Sequence, residues 1–154
     1  MTSRVAEIKP RRKAGVRTKG SRGESLRLRD QTIAQVIERI AAGFPYEFLV
    51  RFQRATQLPL ERVAEIVRIP MPTLSRRKSE GKLRADESER LFRASTVLDR
   101  AVDLFEGNGP AAMRWLTTPQ PALGGREPLE FSRTDLGARE VEDLIGRLEH
   151  GVFT

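Results

Sequence analysis

Apolar positions along this chain recur at three- and four-residue spacing in block after block, with no strand-like alternation and no internal repeat. The pattern predicts an all-α protein. Ile33, Val36, Ile37 and Ile40 mark a first amphipathic helix, with Asp30 placed to cap it and Gly43 just past its end. Phe44 and Pro45 open a second helix to about Gln57, with Phe48, Leu49 and Phe52 on its buried face. A later, longer helix has Asp86 as its candidate cap and Glu87 and Glu89 in the first turn, where the helix dipole favours them. It carries Leu91, Leu98, Val102 and Phe105 on one face and stops at Gly107. Asn108, Gly109 and Pro110 restart a helix through Leu116. Residues 117–127, TTPQPALGGRE, then break the pattern with Pro119, Pro121, Gly124 and Gly125. Pro128, Leu129 and Phe131 form a short turn or helix. Thr134 caps a last helix with Val141, Leu144, Ile145 and Leu148 inward and Gly151 as its stop.

Between the second and the long helix lies residues 58–82, LPLERVAEIVRIPMPTLSRRKSEGK. Leu60, Val63, Ala64 and Val67 give one apolar face. Ile69 is an apolar turn position, and Pro70 and Pro72 suit the opening turn of a second short helix. Leu74 is that helix's one large apolar anchor, surrounded by Thr73, Ser75, Arg76, Arg77 and Lys78. This is the grammar of a helix-turn-helix, in which the second helix lies in the major groove of DNA. At 100° per residue from a buried Leu74, Arg76 points nearly opposite, and Thr73, Ser75 and Arg77 lie on the flanks. Arg can contact guanine bidentately, and Ser or Thr can bond base edges or phosphates. Two positions depart from the usual motif. Arg68 stands where glycine is frequent, at a cost of roughly 1–2 kcal/mol if left-handed. Arg77 and Lys78 stand near a position that is usually apolar.

Charge sharpens this picture. The net +7 of the 154 residues is unevenly spread. Residues 1–30 and 68–84 are strongly basic, 31–67 are balanced, and 85–154 are acidic. Two basic regions before an acidic half suit two kinds of partner. Three segments follow: a flexible basic tail at 1–29, a helix-turn-helix part with connecting helices at 30–106, and a small helical domain at 107–154. The tail either adds non-specific phosphate contacts or serves as a solvated leader. There is no Cys and one His, which leaves almost nothing for thiol, His-based or metal chemistry, and no cofactor or metal site is expected. No apolar run is long enough for a membrane span, and the basic N-terminus lacks the apolar core of a secretory signal. A cytoplasmic location is expected.

The run AAMRWLTTPQPALGGREPLEFSRTDLGAREVEDLIGRLEHGVF resembles the C-terminal toxin-binding domain of the Xre/MbcA/ParS antitoxins. Trp115-Leu116, Pro119, Leu123-Gly124-Gly125, Pro128-Leu129, Thr134, Gly137, Val141 and the stretch from Arg147 to Gly151 carry the likeness. The upstream TLSRRKSEGKLRADESERLFRASTVLDRAVDLF resembles the Xre-type half of the same family, so the similarity covers roughly residues 30–154. The resemblance implies a type II antitoxin whose C-terminal domain binds and blocks a RES-domain, NAD-consuming toxin and whose N-terminal half represses the shared operon. It places Trp115, Leu123, Gly124, Gly125, Arg126, Arg147, His150, Val152 and Phe153 at the toxin. The end of the chain, including Gly151, would lie near the toxin's active-site entrance.

Each of these residues has a plainer reading. Trp115 at helical spacing suits a core, and the two glycines suit a tight turn. His150 suits the carbonyls of a last helical turn, and Phe153 either folds back or docks on a partner. The operator half also implies a homodimer, because helix-turn-helix proteins read two-fold sites. An alternative is a stand-alone helix-turn-helix regulator with a dimerisation or sensing C-terminal domain. An enzyme has little support. The carboxylates are scattered on charged faces, and Gly124-Gly125 lacks the strand and helix of a nucleotide fingerprint.

Overall fold

The computed structural model describes residues 24–151. Among these residues there are eight α-helices: α1 (Ile33–Ala42), α2 (Glu47–Thr56), α3 (Leu60–Val67), α4 (Met71–Glu80), α5 (Ala85–Leu104), α6 (Gly109–Leu116), α7 (Pro128–Phe131) and α8 (Asp135–Glu149). A 3-10 turn, Pro121–Leu123, separates α6 from α7. Among the described residues the only β-type pairings are two isolated bridges, Pro45 with Lys82 and Gln120 with Arg126. The all-α expectation holds, with a helix-turn-helix half followed by a small helical half. No helix among the described residues is long and apolar enough to cross a membrane.

The long helix α5 is the axis of the fold. It buries Leu91, Ala94, Val97, Leu98, Ala101 and Leu104. It packs on α1, α2 and α3 from the N-terminal half and on α6 and α8 from the C-terminal half. One core therefore runs through both halves, from Phe44, Leu49 and Phe52 to Leu116, Leu129, Val141 and Ile145.

Four of the helix starts follow capping chemistry, two of them with a different residue from the one expected. Thr32, two residues beyond Asp30, opens α1. Its Oγ1 accepts from the Gln35 N–H at 3.1 Å while its own N–H donates to Gln35 Oε1 at 2.8 Å, a reciprocal capping box. At α5 the capping carboxylate is Glu87, which accepts from the Arg84 N–H at 2.9 Å. Asp86 instead pairs with Arg90 at 3.2 Å. The other two starts are as expected. Asn108 Oδ1 accepts from the Ala111 N–H at 3.0 Å, and Thr134 Oγ1 from the Gly137 N–H at 3.0 Å.

Two further expectations change. Residues 24–29, read as the end of a tail, are packed: Leu26 and Leu28 are fully buried. Arg51 Nη1 donates to the Leu26 carbonyl at 3.2 Å and the Ser25 N–H to Asp99 Oδ1 at 3.1 Å, so this short segment has both an apolar and a polar anchor. The rest of the proposed tail, 1–23, lies outside the described residues. On α1, only Val36 is buried and Ile40 half-buried, whereas Ile33 and Ile37 are 52% and 59% exposed. The apolar face of α1 is wider than the surface that the core offers it.

The turn from α7 into α8 depends on a close backbone approach. A Cβ at Gly137 would overlap the carbonyl oxygen of Phe131 and meet Thr134 Oγ1 at 3.0 Å. A carbonyl fixed in a helical turn cannot swing aside as a side-chain end can. Gly137→Ala is therefore expected to destabilise the protein by about 1–3 kcal/mol, as overpacking does. A fall of several degrees in the thermal unfolding midpoint would report it; an unchanged midpoint would show that the turn yields freely.

Candidate functional site

The helix-turn-helix comprises α3, the turn at Arg68, Ile69 and Pro70, and α4. Arg68 is left-handed, at φ 58° and ψ 46°. Its N–H donates to the Glu65 carbonyl at 3.3 Å and the Ile69 N–H to Ala64 at 3.0 Å. These two bonds, with Ala64 and Ile69 both buried, make a Schellman stop without glycine. The turn is also held from outside. Arg90, reaching from α5, donates Nε to the Val67 carbonyl at 2.7 Å and Nη2 to that of Arg68 at 3.2 Å. Sequence reasoning missed this role, since Arg90 is 22 residues away from the turn.

In α4, Leu74 is the buried anchor, 1% exposed. Ser75, Arg76 and Lys78 are exposed and Thr73 is half-buried, which leaves these four available for DNA contact. Arg77 is not, and the expectation is corrected there. Three residues after Leu74, it lies 60° from the anchor and turns inward. It is 3% exposed, with Nε and Nη2 donating to the two carboxylate oxygens of Glu87 at 2.8 and 3.1 Å. Glu80 adds a third contact at 3.3 Å. The pair fills the position where a helix-turn-helix usually carries an apolar side chain. It bolts the second helix to the first turn of α5. Burial alone would raise the Glu87 carboxyl, but the bonds from Arg77 and from the Arg84 N–H outweigh it and hold it below its ordinary value. Arg77 is shifted up, chiefly by its hydrogen bond to Glu87. Exposed Arg68 precedes α4, and exposed Lys82 and Arg84 follow it.

The second candidate surface is formed by the turn after α6 and by the end of α8. Trp115 and Leu123 are each 5% exposed, so neither presents its side chain to a partner. Trp115 lies on the inward face of α6 with Ala111, Ala112 and Leu116. Both residues support the surface from within. The turn itself is tight, with φ of 66° at Gly124 and 82° at Gly125. Gln120 closes it, accepting from the Gly125 N–H at 2.9 Å and donating its own N–H to Arg126 at 3.1 Å. Gly124, Gly125 and Arg126 are exposed, and the Arg126 guanidinium stands 5.6 Å above the Phe131 ring.

Arg62, on the supporting helix α3, reaches the end of this turn and bonds Glu127 at 2.8 Å and Glu130 at 3.4 Å. This ion-paired bridge between the halves was not foreseen, because nothing in the sequence brings positions 62 and 127 together. At the other end, half-buried Arg147 and exposed His150 line an open groove with Arg100, Glu142 and Asp143. Arg100 crosses from α5 to Glu142 and Glu149 at 3.5 and 3.4 Å. Val152 and Phe153 lie outside the described residues.

Residues 100–151 match the antitoxin Xre/MbcA/ParS C-terminal toxin-binding domain, and residues 35–94 match the antitoxin Xre-like helix-turn-helix domain. The chain is 39% identical to an antitoxin Xre of Yersinia enterocolitica over 120 residues, 77% of this chain and 81% of that one. It is 38% identical to an antitoxin Xre of Photorhabdus laumondii over 113 residues, 73% and 76% of the two chains. A Sphingobium protein described as a Prs ADP-ribosylating antitoxin is 23% identical over 132 residues, 78% and 83% of the two chains.

This chain belongs to the Xre family of antitoxins. The two domain matches meet inside α5, between residues 94 and 100, so one helix carries both halves of this Xre-family protein.

The Arg77–Glu87 pair gives the antitoxin an acid-sensitive joint. A carboxyl whose folded pKa lies below its unfolded value adds stability that is complete above the unfolded value. That stability is lost as pH falls through the folded one. Unfolding measured from neutral to acid pH should show this loss below the ordinary carboxylate range, and Glu87→Gln should flatten the profile there. Arg77→Ala should destabilise far more than Arg76→Ala, which is expected to stay within about 0.5 kcal/mol of the parent. Equal effects of the two arginines would contradict the buried pair.

Proposed function

We propose that this antitoxin blocks a RES-domain, NAD-consuming toxin through its C-terminal half and represses the operon it shares with that toxin through α4. The single observation that carries the DNA half is the division of labour within α4. Arg77 is spent on the buried pair with Glu87, and Ser75, Arg76 and Lys78 are left exposed on the helix that a helix-turn-helix lays in the major groove. In this reading Arg76 reads a base edge, Thr73, Ser75 and Lys78 contact backbone or base edges, and a homodimer engages a two-fold operator.

The toxin half is supported by the toxin-binding domain match and by the surface it covers, the exposed turn of Gly124, Gly125 and Arg126 together with Arg147 and His150. Residues 107–154 act as the toxin-binding domain and 30–106 as the DNA-binding part. The name of the Sphingobium relative couples an antitoxin to ADP-ribosylation, chemistry that draws on NAD, which favours a toxin of that kind. With operator DNA and a toxin as its partners, the protein would work in the cytoplasm. The protein itself acts by binding and needs no catalytic group.

Co-expression with the adjacent gene product should give a stable complex, and removing residues 147–154 should restore toxicity. Full neutralisation by that truncated chain would remove the end of the chain from the blocking role. Arg76→Ala should weaken binding to DNA upstream of the gene by about 1–3 kcal/mol and relax its sequence preference. Operator affinity that survives this change would place the recognition face elsewhere. Removing residues 1–23 should lower the salt dependence of binding and leave the preference as it is.

A further inference from the structure

The first turn of α4 carries an apolar tip on a basic surface. Pro70, Met71 and Pro72 are exposed in succession, between exposed Arg68 on one side and exposed Arg76 and Lys78 on the other. The fold treats the two large apolar side chains of α4 in opposite ways. Leu74 is 1% exposed and anchors the helix, while Met71 is 38% exposed. Three residues before the anchor, Met71 stands about 60° to one side of it, opposite the flank on which Arg77 turns inward. Ser75 and Lys78, four and seven residues further on, lie within about 40° of Met71 around the helix. Met71 therefore opens the exposed stripe that they continue.

We infer that Met71 reads the 5-methyl group of a thymine in the operator. The inference rests on the operator reading of α4 and adds a base preference to it. Met71 is the first residue of the helix, and a recognition helix touches base edges with its N-terminal residues. The thymine methyl is the one apolar group that a base pair displays in the major groove. It is therefore the feature there that an apolar side chain can recognise, by burying it. The unbranched, polarisable Met side chain adapts its shape to such a contact.

The same tip is poorly equipped for a phosphate. The start of a helix ordinarily offers free backbone N–H groups to an anion. Here Pro70 at the cap and Pro72 at the second position have none. Pro70 also provides no side-chain cap. What the tip presents outward is mainly hydrocarbon.

Attraction and discrimination are thereby separated. The exposed cations around α4, Arg68, Lys82 and Arg84 among them, attract phosphates whatever the sequence. Met71 adds nothing to that attraction and responds to one base. Met71 and Arg76 are five residues apart, about 7.5 Å along the helix axis, so they address different base pairs.

The test uses the full-length protein and duplexes of the DNA upstream of the gene, with thymines replaced one at a time by uracil. Uracil pairs identically and lacks only the 5-methyl group. At one thymine of each half-site the replacement should weaken binding about fourfold, the factor that burial of one such carbon is worth. Met71→Ala, verified as folded by circular dichroism, should bind the unmodified duplex at least about fourfold more weakly and no longer distinguish uracil from thymine at that position. If Met71 merely shaped the helix, Met71→Ala would bind more weakly and still show the uracil penalty, which would overturn the inference. So would a duplex series with no sensitive thymine, or a Met71→Ala protein that binds the DNA like the parent. If that variant instead loses the toxin, the tip belongs to the toxin and the inference fails. A parent that binds no upstream DNA brings down the operator reading and this inference with it. A parent that binds but is blind to the methyl group brings down this inference alone.

Discussion

The packing of α5 is the constraint on which everything else in this molecule depends. Each of its neighbours is too short to bury its own apolar stripe alone. α3 and α6 have eight residues each and α4 has ten, lengths that are marginal as isolated helices in water. α5 offers α1, α2, α3, α6 and α8 a common partner, and it reaches α4 through the first-turn carboxylate of Glu87. The DNA-reading half and the toxin-binding half are therefore joined by a continuous helix and not by a linker, and Arg62 and Arg100 add ion pairs across the same join. A partner seated on one half meets a body that includes the other.

The polar groups around α5 divide into two kinds. Arg77–Glu87 is a buried pair with bidentate geometry and a third carboxylate nearby, the arrangement in which losing one partner strands a charge. The Arg139–Asp135 pair within α8 is mostly exposed on both sides and contributes little. Number of ion pairs is thus a poor guide to what holds the antitoxin together. Position relative to α5 is a better one.

Much of the fold was legible from periodicity, because helical spacing reports which residues share a face. The eight helices, the restart at Asn108, the Thr134 cap and the anchor Leu74 all follow from local rules. The failures share a physical cause: they depend on which neighbour arrives from far along the chain. Arg77 looks like a DNA contact until Glu87 is known to face it. Leu26 and Leu28 look like tail until Arg51 and the α5 side of the core are in place. Ile33 and Ile37 have the spacing of core residues, yet no element among the described residues covers them. Trp115 and Leu123 fit a family pattern, but the pattern does not say whether a residue touches the partner or supports the residue that does. Thr32 in place of Asp30 is a different case, since the reciprocal Thr32–Gln35 pair is itself a capping-box pattern in the sequence.

The turn at Arg68 ties together two positions far apart in the chain. A left-handed residue is ordinarily given to glycine, which spares the backbone but contributes no side chain. Here Arg90 grips the two carbonyls beside the turn, so part of the stabilisation comes from a residue on another helix. That support relaxes the demand for glycine and lets a cation stand at the shoulder of the recognition helix. Positions 68 and 90 are thus physically coupled: without the arginine at 90 the left-handed turn loses its outside support, and a glycine at 68 would relieve the backbone only by giving up a positive charge at the mouth of the motif.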